Sequence, residues 1–312
     1  MHRIKRYIRK IIKYLYDLIF NRPIGYVFMF HRVAPADNAL TTIDDLRVSI
    51  EYFRHFLLEK QNSFIFVNMD EAVKIINRQQ KINHPFCVIT FDDGYEDNYI
   101  YAYPILKELG IPFTIYVSVN FINNHQPIWN YPIIIERIIR NNDELVLANG
   151  MRFVCKTIDE KNETFLQLKA WLFSLPYVSI HKEFIHVLGK YFTDDVFAGY
   201  RMLSWKQLQE MVNDPLCTIG SHTMSHCRLV MDDETSLIYE LQNSKNVLSK
   251  KLGVPIKHLS YPYGWIKDVS NEAINVAKRV GYKTGLRSFG GAVRKKDKDL
   301  FNIKRIMVKE YE

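Results

Sequence analysis

The feature that most constrains the fold is the alternation of short apolar runs with segments of helical periodicity. Apolar runs bounded by turn residues predict buried strands, and helices between them favour a parallel sheet. The predicted strands span residues 25–30, 64–67, 86–91, 113–119, 217–220, 259–261, 284–286 and 303–308. The predicted helices span residues 50–59, 98–109, 205–212, 235–251 and 269–280. About seven or eight strand–helix units indicate a closed or nearly closed β/α barrel.

Residues 121–203 interrupt this alternation. They contain further helical segments at 132–140, 164–173 and 181–188, and a polar loop at 141–144. Connections inside β/α folds are usually much shorter than this stretch. We therefore predict a barrel domain over residues 23–312 that carries a mostly helical insertion at 121–203.

The positive charge of the chain is concentrated in residues 1–22. The formal net charge is +8, and this segment holds seven basic side chains and one acid. On a helical wheel its isoleucines and leucines form one stripe and most of its basic residues lie opposite, and Pro23 ends the helix. Such a basic amphipathic helix is typical of a segment at the surface of an anionic membrane. The alternative is a helix packed on the body of the protein.

Other features bear on location and partners. The remaining 290 residues hold 35 basic and 33 acidic side chains, and this near balance argues against nucleic-acid binding. The sequence predicts no transmembrane helix and no signal peptide, because charges interrupt the apolar stretches. The four cysteines (Cys87, Cys155, Cys217 and Cys227) show neither metal-binding nor disulfide spacing. We predict a cytoplasmic protein, peripheral on the inner face of the membrane if residues 1–22 bind there.

Two adjacent acids, Asp92 and Asp93, follow a buried strand in the run Thr90-Phe91-Asp92-Asp93-Gly94. Acids at such a position are costly to bury unless they are paired or bind a cation. Neighbouring side chains of an extended segment point to opposite sides, so the two acids should have different partners and different roles. The alternative is a polar turn in which Gly94 supplies a positive φ.

Two histidines, His222 and His226, follow another buried strand in the run Gly220-Ser221-His222-Thr223-Met224-Ser225-His226. Histidines four residues apart share one face of a helical turn and can bind one metal. Together with an acid from another strand end, they would leave coordination positions open for water and substrate. Cys227 is a weaker candidate ligand.

A third histidine, His31, ends the first predicted strand, and the turn Tyr261-Pro262-Tyr263-Gly264 ends a later one. In β/α barrels the catalytic groups lie at the carboxyl ends of the strands. The two acids and the histidine pair also follow strands, so these positions favour one shared site.

These motifs resemble those of the NodB-type polysaccharide deacetylases, carbohydrate esterase family 4, over most of residues 24–309. The TFDDG run resembles the first family motif, His222-Thr223-Met224-Ser225-His226 the second, and Ser260-Tyr261-Pro262-Tyr263-Gly264 the third. The resemblance implies a distorted (β/α) barrel of about seven units, the NodB homology or glycoside hydrolase-deacetylase barrel.

The resemblance also implies residue roles. Asp92 would be the general base, and Tyr263 would offer its backbone N–H to the oxyanion. Asp93, His222 and His226 would hold a divalent metal, usually zinc, with cobalt, nickel and manganese as alternatives. Further substrate-binding candidates are Tyr261, Pro262, Gly264 and Trp265.

Two departures from the family pattern matter. The third motif normally begins with an arginine that pairs with the base, and here Ser260 stands there; Arg32 and Arg305 are both candidates for that pairing. The usual C-terminal catalytic histidine is missing, since the last histidine is His258. Some members resemble a permuted arrangement with this histidine at the end of the first strand. His31 holds the matching position, so we assign the acid role to it.

The sequence thus predicts metal-dependent hydrolysis of an N-acyl group, with an O-acyl group as a second choice, on a carbohydrate. The substrate would be a polysaccharide, or a lipid-linked or nucleotide-linked sugar used to build one. Two alternatives stay open: a hydrolase of another C–N bond, such as a formamide, and a catalytically silent carbohydrate-binding protein of the same fold.

Overall fold

The computed structural model describes residues 21–35, 46–124, 131–175, 179–231 and 233–310. The amphipathic helix predicted for residues 1–22 lies outside the described residues, apart from Asn21 and Arg22. Within the described ranges, no helix combines the length and the hydropathy needed to cross a membrane.

The described chain alternates strands with helices. The strands are β1 (Pro23–Phe30), β2 (Arg32–Val33), β3 (Arg47–Val48), β4 (Ile65–Phe66), β5 (Phe86–Phe91), β6 (Phe113–Val117), β7 (Glu144–Val146), β8 (Arg152–Val154), β9 (Cys217–Ser221), β10 (His258–Ser260), β11 (Thr284–Gly290), β12 (Val293–Arg294) and β13 (Ile303–Met307). The α-helices are α1 (Ile50–Gln61), α2 (Met69–Ile76), α3 (Tyr103–Leu109), α4 (Val119–Asn124), α5 (Tyr131–Arg140), α6 (Ile158–Ser174), α7 (Ile180–Leu188), α8 (Asp194–Phe197), α9 (Trp205–Val212), α10 (Glu234–Ile238), α11 (Ser244–Leu252) and α12 (Asn271–Arg279). Single π-helical turns at Asn98–Ala102 and Tyr239–Asn243 precede α3 and α11, and 3-10 turns lie at Gly189–Tyr191 and Ile266–Asp268.

Seven parallel strands close into a barrel in the order β1-β13-β11-β10-β9-β6-β5, and β5 pairs back with β1. The β1–β5 pairing closes the ring over six residues, from Gly25 opposite Phe86 to Phe30 opposite Phe91. The short β12 runs antiparallel on β1, and β4 extends the sheet beyond β5. The predicted β/α barrel is thereby confirmed.

Strands β5 and β6 are buried along their whole length because both of their faces are covered. Every residue of β5 is buried, and this is why its sequence reads as a continuous apolar run. The rings of Phe30 on β1 and Phe53 on α1 meet edge to face with centroids 5.1 Å apart. Such aromatic contacts fix α1 against the sheet, so β1, which His31 follows, has a defined position.

Element boundaries differ from the sequence prediction where local geometry changes. The strand predicted to reach residue 119 ends at Val117, because Val119 already begins α4. The helix predicted at 98–109 begins with a π-helical turn, and the helix predicted at 235–251 is interrupted by one. The strands β2, β3, β7, β8 and β12 and the helices α4 and α8 were not predicted, since each is too short to show a clear period. The eight-residue helix α2 was missed although its apolar residues recur at helical spacing.

The residues between α4 and α9 form a second small core. The predicted polar loop is a turn over residues 141–143 and leads into a β7–β8 hairpin that begins at Glu144. Helices α5 to α8 pack around this hairpin on a separate apolar cluster that includes Ile138, Leu168 and Phe184. The segment then returns to the barrel, where Leu203 N–H donates to the carbonyl of Gly94 at 2.9 Å. This stretch therefore borders the loop that follows β5.

Candidate metal and catalytic site

The barrel brings the predicted site residues to one end. Because Phe30 pairs with Phe91, His31 and Asp92 leave neighbouring strands side by side, and the N–H of Asp92 donates to the carbonyl of Phe30 at 3.0 Å. Val117 pairs with Ser221 at the ends of β6 and β9, so His222 follows its strand at the same end of the barrel. Parallel strands thus place groups that are far apart in sequence around one opening.

Asp93, His222 and His226 form a buried three-residue cluster. Oδ1 of Asp93 lies 3.4 Å from Nε2 of His222 and 3.2 Å from Nε2 of His226. One candidate ligand atom from each residue lies within 4.8 Å of the other two. Two imidazoles and one carboxylate are a common ligand set for a catalytic divalent metal with open coordination positions.

The hydrogen bonding of this cluster fits a metal. Both carboxylate oxygens of Asp93 are buried, and neither accepts a well-aligned hydrogen bond from a described residue. Leaving a buried charge in this state is costly, and a cation removes that cost. Nδ1 of His222 lies 2.8 Å from the carbonyl of Ser260, so Nδ1 carries the proton and Nε2 presents its lone pair to the cluster.

The electrostatics of the cluster point the same way. Burial opposes the charge of Asp93, but the close imidazoles of His222 and His226 outweigh it and hold the pKa of Asp93 well below its usual range. Burial lowers the pKa of His226. Burial also acts to lower the pKa of His222, but the negative charges of Asp92 and Asp93 raise it overall. A charged carboxylate beside a neutral His226 is suited to metal ligation.

The histidine pair lies on a turn, so the expectation of a helical turn is wrong. Thr223 has φ +69° and His226 has φ +56°, values that no α-helix contains. The imidazoles still converge, with ring centroids 4.8 Å apart. Among the described non-glycine residues with positive φ, Asp93 and Tyr263 also belong to this site. Strained backbone of this kind concentrates at functional sites, where the surrounding fold holds it in place.

A buried acid that the sequence reasoning missed, Glu240, holds this turn. Its carboxylate accepts the N–H groups of Met224 and Ser225 at 2.9 and 3.0 Å and the hydroxyl of Ser225 at 2.7 Å. Glu240 lies on the π-helical turn before α11, next to the buried Leu241 and one turn after Leu237. An acid on the apolar stripe of a helix was the signal that could have identified it.

Replacing Glu240 with Gln should loosen the metal-binding turn. We expect the free energy of unfolding to fall by about 1.5–3 kcal/mol, because charge-assisted hydrogen bonds to a buried group are weakened. Urea denaturation measures this change. Glu272→Gln, at an exposed position in the first turn of α12, is the matched control and should change stability little. Equal effects of the two substitutions would contradict a clamping role for Glu240.

Asp92 is held by an arginine from the last strand. Nη1 and Nη2 of Arg305 donate to the two oxygens of Asp92 at 2.7 and 2.6 Å, and Ser260 Oγ donates to Oδ2 at 3.0 Å. Nε of Arg305 donates to the carbonyl of Arg287 at 2.7 Å, which fixes the guanidinium. Burial opposes ionisation of Asp92, but the charge of Arg305 outweighs it and lowers the pKa of Asp92.

Of the two arginines that the sequence left open, the structure places Arg305 on Asp92. Arg32 lies elsewhere: its Nε donates to Asp97 at 2.8 Å and its Nη2 to the carbonyl of Gly199 at 2.6 Å. The side chain of Arg32 leaves the barrel end on β2, away from Asp92, because β2 pairs with β3 outside the ring.

His31 lies at the end of β1, beside the two acids. Burial and nearer charged groups have the largest effects on the pKa values of Asp92 and Asp93. The imidazole of His31 adds a smaller effect, which lowers both values. Its buried Nδ1 finds no hydrogen-bond partner among the described residues. Asn98 donates to the backbone carbonyl of His31 at 3.0 Å, which fixes the backbone and leaves the imidazole available.

The aromatic residues of the third motif and the residue after it differ in their burial and in their contacts. The ring of Tyr263, at φ +59°, meets the imidazole of His226 edge to face with centroids 5.0 Å apart. Tyr261 is fully buried and its hydroxyl donates to the carbonyl of Phe301, so the prediction of substrate contact through this ring is corrected. Pro262 and Gly264 are also buried. Trp265 is 54% exposed and stacks on Phe289 with centroids 5.0 Å apart.

Comparison with known proteins gives one consistent result. The family model described as polysaccharide deacetylase matches residues 79–285. Bacillus subtilis YxkH is 22% identical over 288 residues, which cover 90% of this chain and 70% of that protein. A Staphylococcus aureus poly-beta-1,6-N-acetyl-D-glucosamine N-deacetylase is 27% identical over 125 residues, 38% of this chain and 42% of that protein.

Two solved structures share the fold. Streptococcus pyogenes deacetylase PplD, in complex with acetate, superposes with a TM-score of 0.63 at 18% identity and covers 93% of this chain and 95% of that chain. IcaB from Ammonifex degensii superposes with a TM-score of 0.62 at 18% identity and covers 93% of both chains. At these identities the two matches establish the barrel architecture alone.

Proposed function

The chain belongs to the polysaccharide deacetylase family, and from that premise we propose that it hydrolyses the N-acetyl group of a sugar in a polysaccharide or glycan precursor with the help of a metal. The observation that carries this proposal is that two buried acids, Asp92 and Asp93, lie at one end of the barrel with different partners. Asp92 is charged and held by Arg305, and Asp93 faces two histidines. The two acids therefore have different partners, as a base and a ligand require.

Asp93, His222 and His226 would hold the cation, which we propose to be zinc because imidazole nitrogens and carboxylate oxygens are its usual ligands in catalytic sites. When bound, the cation would polarise the acyl oxygen and lower the pKa of a water molecule. Ser260 supports this arrangement through its carbonyl, which keeps Nε2 of His222 directed at the cluster.

Asp92 would take the proton from the attacking water. Its two oxygens are fixed by Arg305 and by the hydroxyl of Ser260, so the carboxylate needs no reorganisation during the reaction. His31, from the neighbouring strand, would donate a proton to the leaving amine. The backbone N–H of Tyr263 would donate to the developing oxyanion, and the left-handed backbone at that residue would set its direction.

The substrate proposed is a carbohydrate that carries N-acetylated amino sugars. Support comes from the Staphylococcus aureus relative, which is a poly-beta-1,6-N-acetyl-D-glucosamine N-deacetylase. The exposed Trp265, stacked on Phe289 beside the third motif, offers an aromatic face of the kind on which sugar rings pack.

The place of the reaction is also part of the proposal. Residues 1–22 hold seven basic side chains in an amphipathic pattern, which is typical of a helix at an anionic membrane surface. We therefore propose that the substrate is met at the inner leaflet, as a lipid-linked or nucleotide-linked glycan precursor.

The test is acetate release from an oligomer of β-1,6-linked N-acetylglucosamine. We expect release that a chelator abolishes and that added zinc restores. His226→Ala should lower the affinity for zinc by about 100-fold or more, because one of three ligands is lost. His186→Ala, at an exposed position on α7, should leave zinc content and acetate release unchanged.

Three results would contradict the proposal. Acetate release that is insensitive to the chelator would remove the metal from the reaction. Release of formate from N-formyl sugars, without release of acetate, would favour the alternative C–N hydrolase. Sugar binding by the zinc-loaded protein without any hydrolysis would favour a binding protein.

A further inference from the structure

Arg228 follows the metal-binding turn and lies against the third motif. Its guanidinium lies over the ring of Tyr263, 5.2 Å from the ring centroid, and the same ring meets the imidazole of His226 with centroids 5.0 Å apart. A cation within about 6 Å of an aromatic centroid is attracted to the electron-rich face of the ring. The ring of Tyr263 therefore contacts both a candidate metal ligand and a positive charge.

A buried acid, Asp268, holds the guanidinium at this ring. Nε of Arg228 lies 3.2 Å from Oδ1 of Asp268, and the side chain of Asp268 is 2% exposed whereas that of Arg228 is 40% exposed. A buried carboxylate is costly without a cation beside it, so Asp268 keeps Arg228 in this position. A long, partly exposed side chain would otherwise sample many rotamers.

The backbone joins the same two segments. The N–H of Leu229 donates to the carbonyl of Asp268 at 2.9 Å, and the N–H of Ser270 donates to the carbonyl of Leu229 at 2.8 Å. These two hydrogen bonds form a parallel bridge between Leu229 and Val269. The segments that follow the second and the third motif are therefore joined next to Arg228.

The backbone of Tyr263 depends on this support. Its φ is +59°, in the left-handed region, where a residue with a Cβ is strained. Gly264 follows with φ +66°, and its N–H donates to the carbonyl of Pro262 at 2.6 Å, so the turn is tight. If this backbone relaxed, the ring of Tyr263 would move away from His226 and from Arg228. The two ring contacts thus oppose the relaxation.

We propose that Arg228 is a positioning residue for the oxyanion donor. Its charge, held by Asp268, keeps the ring of Tyr263 on His226, and the ring in turn fixes the direction of the Tyr263 N–H. This inference rests on the proposed function, in which that N–H donates to the oxyanion of the reacting acyl group. Because a preorganised donor acts on the transition state, the effect of Arg228 is expected in kcat rather than in KM.

The experiment measures acetate release from the β-1,6-linked N-acetylglucosamine oligomer by variants of Arg228. Arg228→Met keeps much of the side-chain length and removes the charge. We expect kcat to fall by about tenfold with little change in KM, since complete loss of an oxyanion donor costs about 10²–10³-fold. Zinc affinity should stay unchanged, because the three proposed ligands are all retained. Arg228→Lys retains a cation and should keep kcat within about threefold of the unaltered protein.

Arg279→Met is the matched control. Arg279 also pairs with an acid, Glu234, but both side chains are exposed and Arg279 lies on α12, outside the site. This variant should leave kcat, KM and zinc affinity unchanged. A double-mutant cycle adds Tyr263→Gly, which removes the ring and tolerates a positive φ. In that background Arg228→Met should have no further effect on kcat, and additive losses would overturn the proposal.

Amide hydrogen exchange separates this inference from the proposed function, because it is measured on the full chain as purified and needs no turnover. The amide of Gly264, which donates within the turn, should exchange about tenfold faster in Arg228→Met than in Arg279→Met. If the unaltered protein releases no acetate but this difference is found, the support of the turn by Arg228 stands and the proposed function fails.

Three results would overturn the inference while the proposed function stands. The first is equal exchange in the two variants together with an unchanged kcat. The second is faster exchange in Arg228→Met with an unchanged kcat, because Arg228 would then stabilise the turn without affecting the reaction. The third is a raised KM with an unchanged kcat, because Arg228 would then bind the substrate directly.

Discussion

Replacing Asp92 with Asn is expected to lower kcat for acetate release by about 10³-fold, within the 10²–10⁴-fold range of general-base catalysis. The amide cannot accept the proton of the attacking water. The metal ligands are a separate set, because Asp93 and the histidines face each other while Asp92 faces Arg305. Zinc content should therefore stay near that of the unaltered protein. Steady-state kinetics and metal analysis of the same preparation measure both quantities.

The Asp92→Asn substitution also leaves the charge of Arg305 buried without its carboxylate, which costs stability. The assay must therefore run at a temperature below the unfolding transition of the variant, which circular dichroism measures. Asp70→Asn is a suitable control, since Asp70 pairs with Lys257 at 2.5 Å, near the start of β10 at the other end of the barrel. This control should lose stability but keep its turnover. Near-normal acetate release by a folded, zinc-loaded Asp92→Asn protein would exclude Asp92 as the base.

Replacing Arg305 with Met is expected to have the second large effect. Arg305 is completely buried, and its removal leaves Asp92 charged and unpaired in the barrel, so the free energy of unfolding should fall by about 3–5 kcal/mol. Acetate release should also fall by about 10²-fold, because the Asp92 carboxylate loses the two hydrogen bonds from Arg305 that fix its position. Denaturant unfolding and kinetics at a temperature where the variant is folded measure these two changes.

A double-mutant cycle tests whether Arg305 acts through Asp92. Once Asp92 is Asn, the further change Arg305→Met should cost far less stability than it costs alone, because no buried carboxylate remains to be paired. A second arm places an arginine where the family motif has one: Ser260→Arg with Arg305→Met should recover part of the lost activity. If the two substitutions are additive, the pairing of Arg305 with Asp92 does not matter for stability, and the positioning role is refuted.

The local sequence pattern was sufficient to predict the strands and the positions of the motifs at their ends. β5 was predicted to the residue, and the other long strands to within a few residues, because a strand buried on both faces must be apolar throughout. The turn around His222 was harder. Its spacing suggests a helix, but the hydrogen bonds of Glu240 select a strained turn instead. Helix periodicity could not reveal that choice, since it depends on a contact 15 or 16 residues away.

The sequence also could not predict which aromatic side chains of the third motif point into the core. Tyr261, Tyr263 and Trp265 are aromatic residues in one short run, and all three were candidates for substrate contact. The packing of β10 against β11 places Tyr261 in the core, under Gly285, where an added Cβ would meet its hydroxyl. Trp265 lies beyond the strand and is exposed. Which ring faces the core depends on the neighbouring strand.

The sequence by itself determined the barrel class, the ends of the strands, and the two acids and three histidines that lie there. Buried parallel strands can be recognised as short apolar runs, and the catalytic groups of a β/α barrel lie at the carboxyl ends of its strands. Only the tertiary structure decided the partners. Arg305 reaches Asp92 across 213 residues through barrel closure, while Arg32, the immediate neighbour of His31, pairs with Asp97. The physical reason is that a charged side chain takes the nearest buried partner in space, and strand register, set by the whole barrel, decides which partner that is.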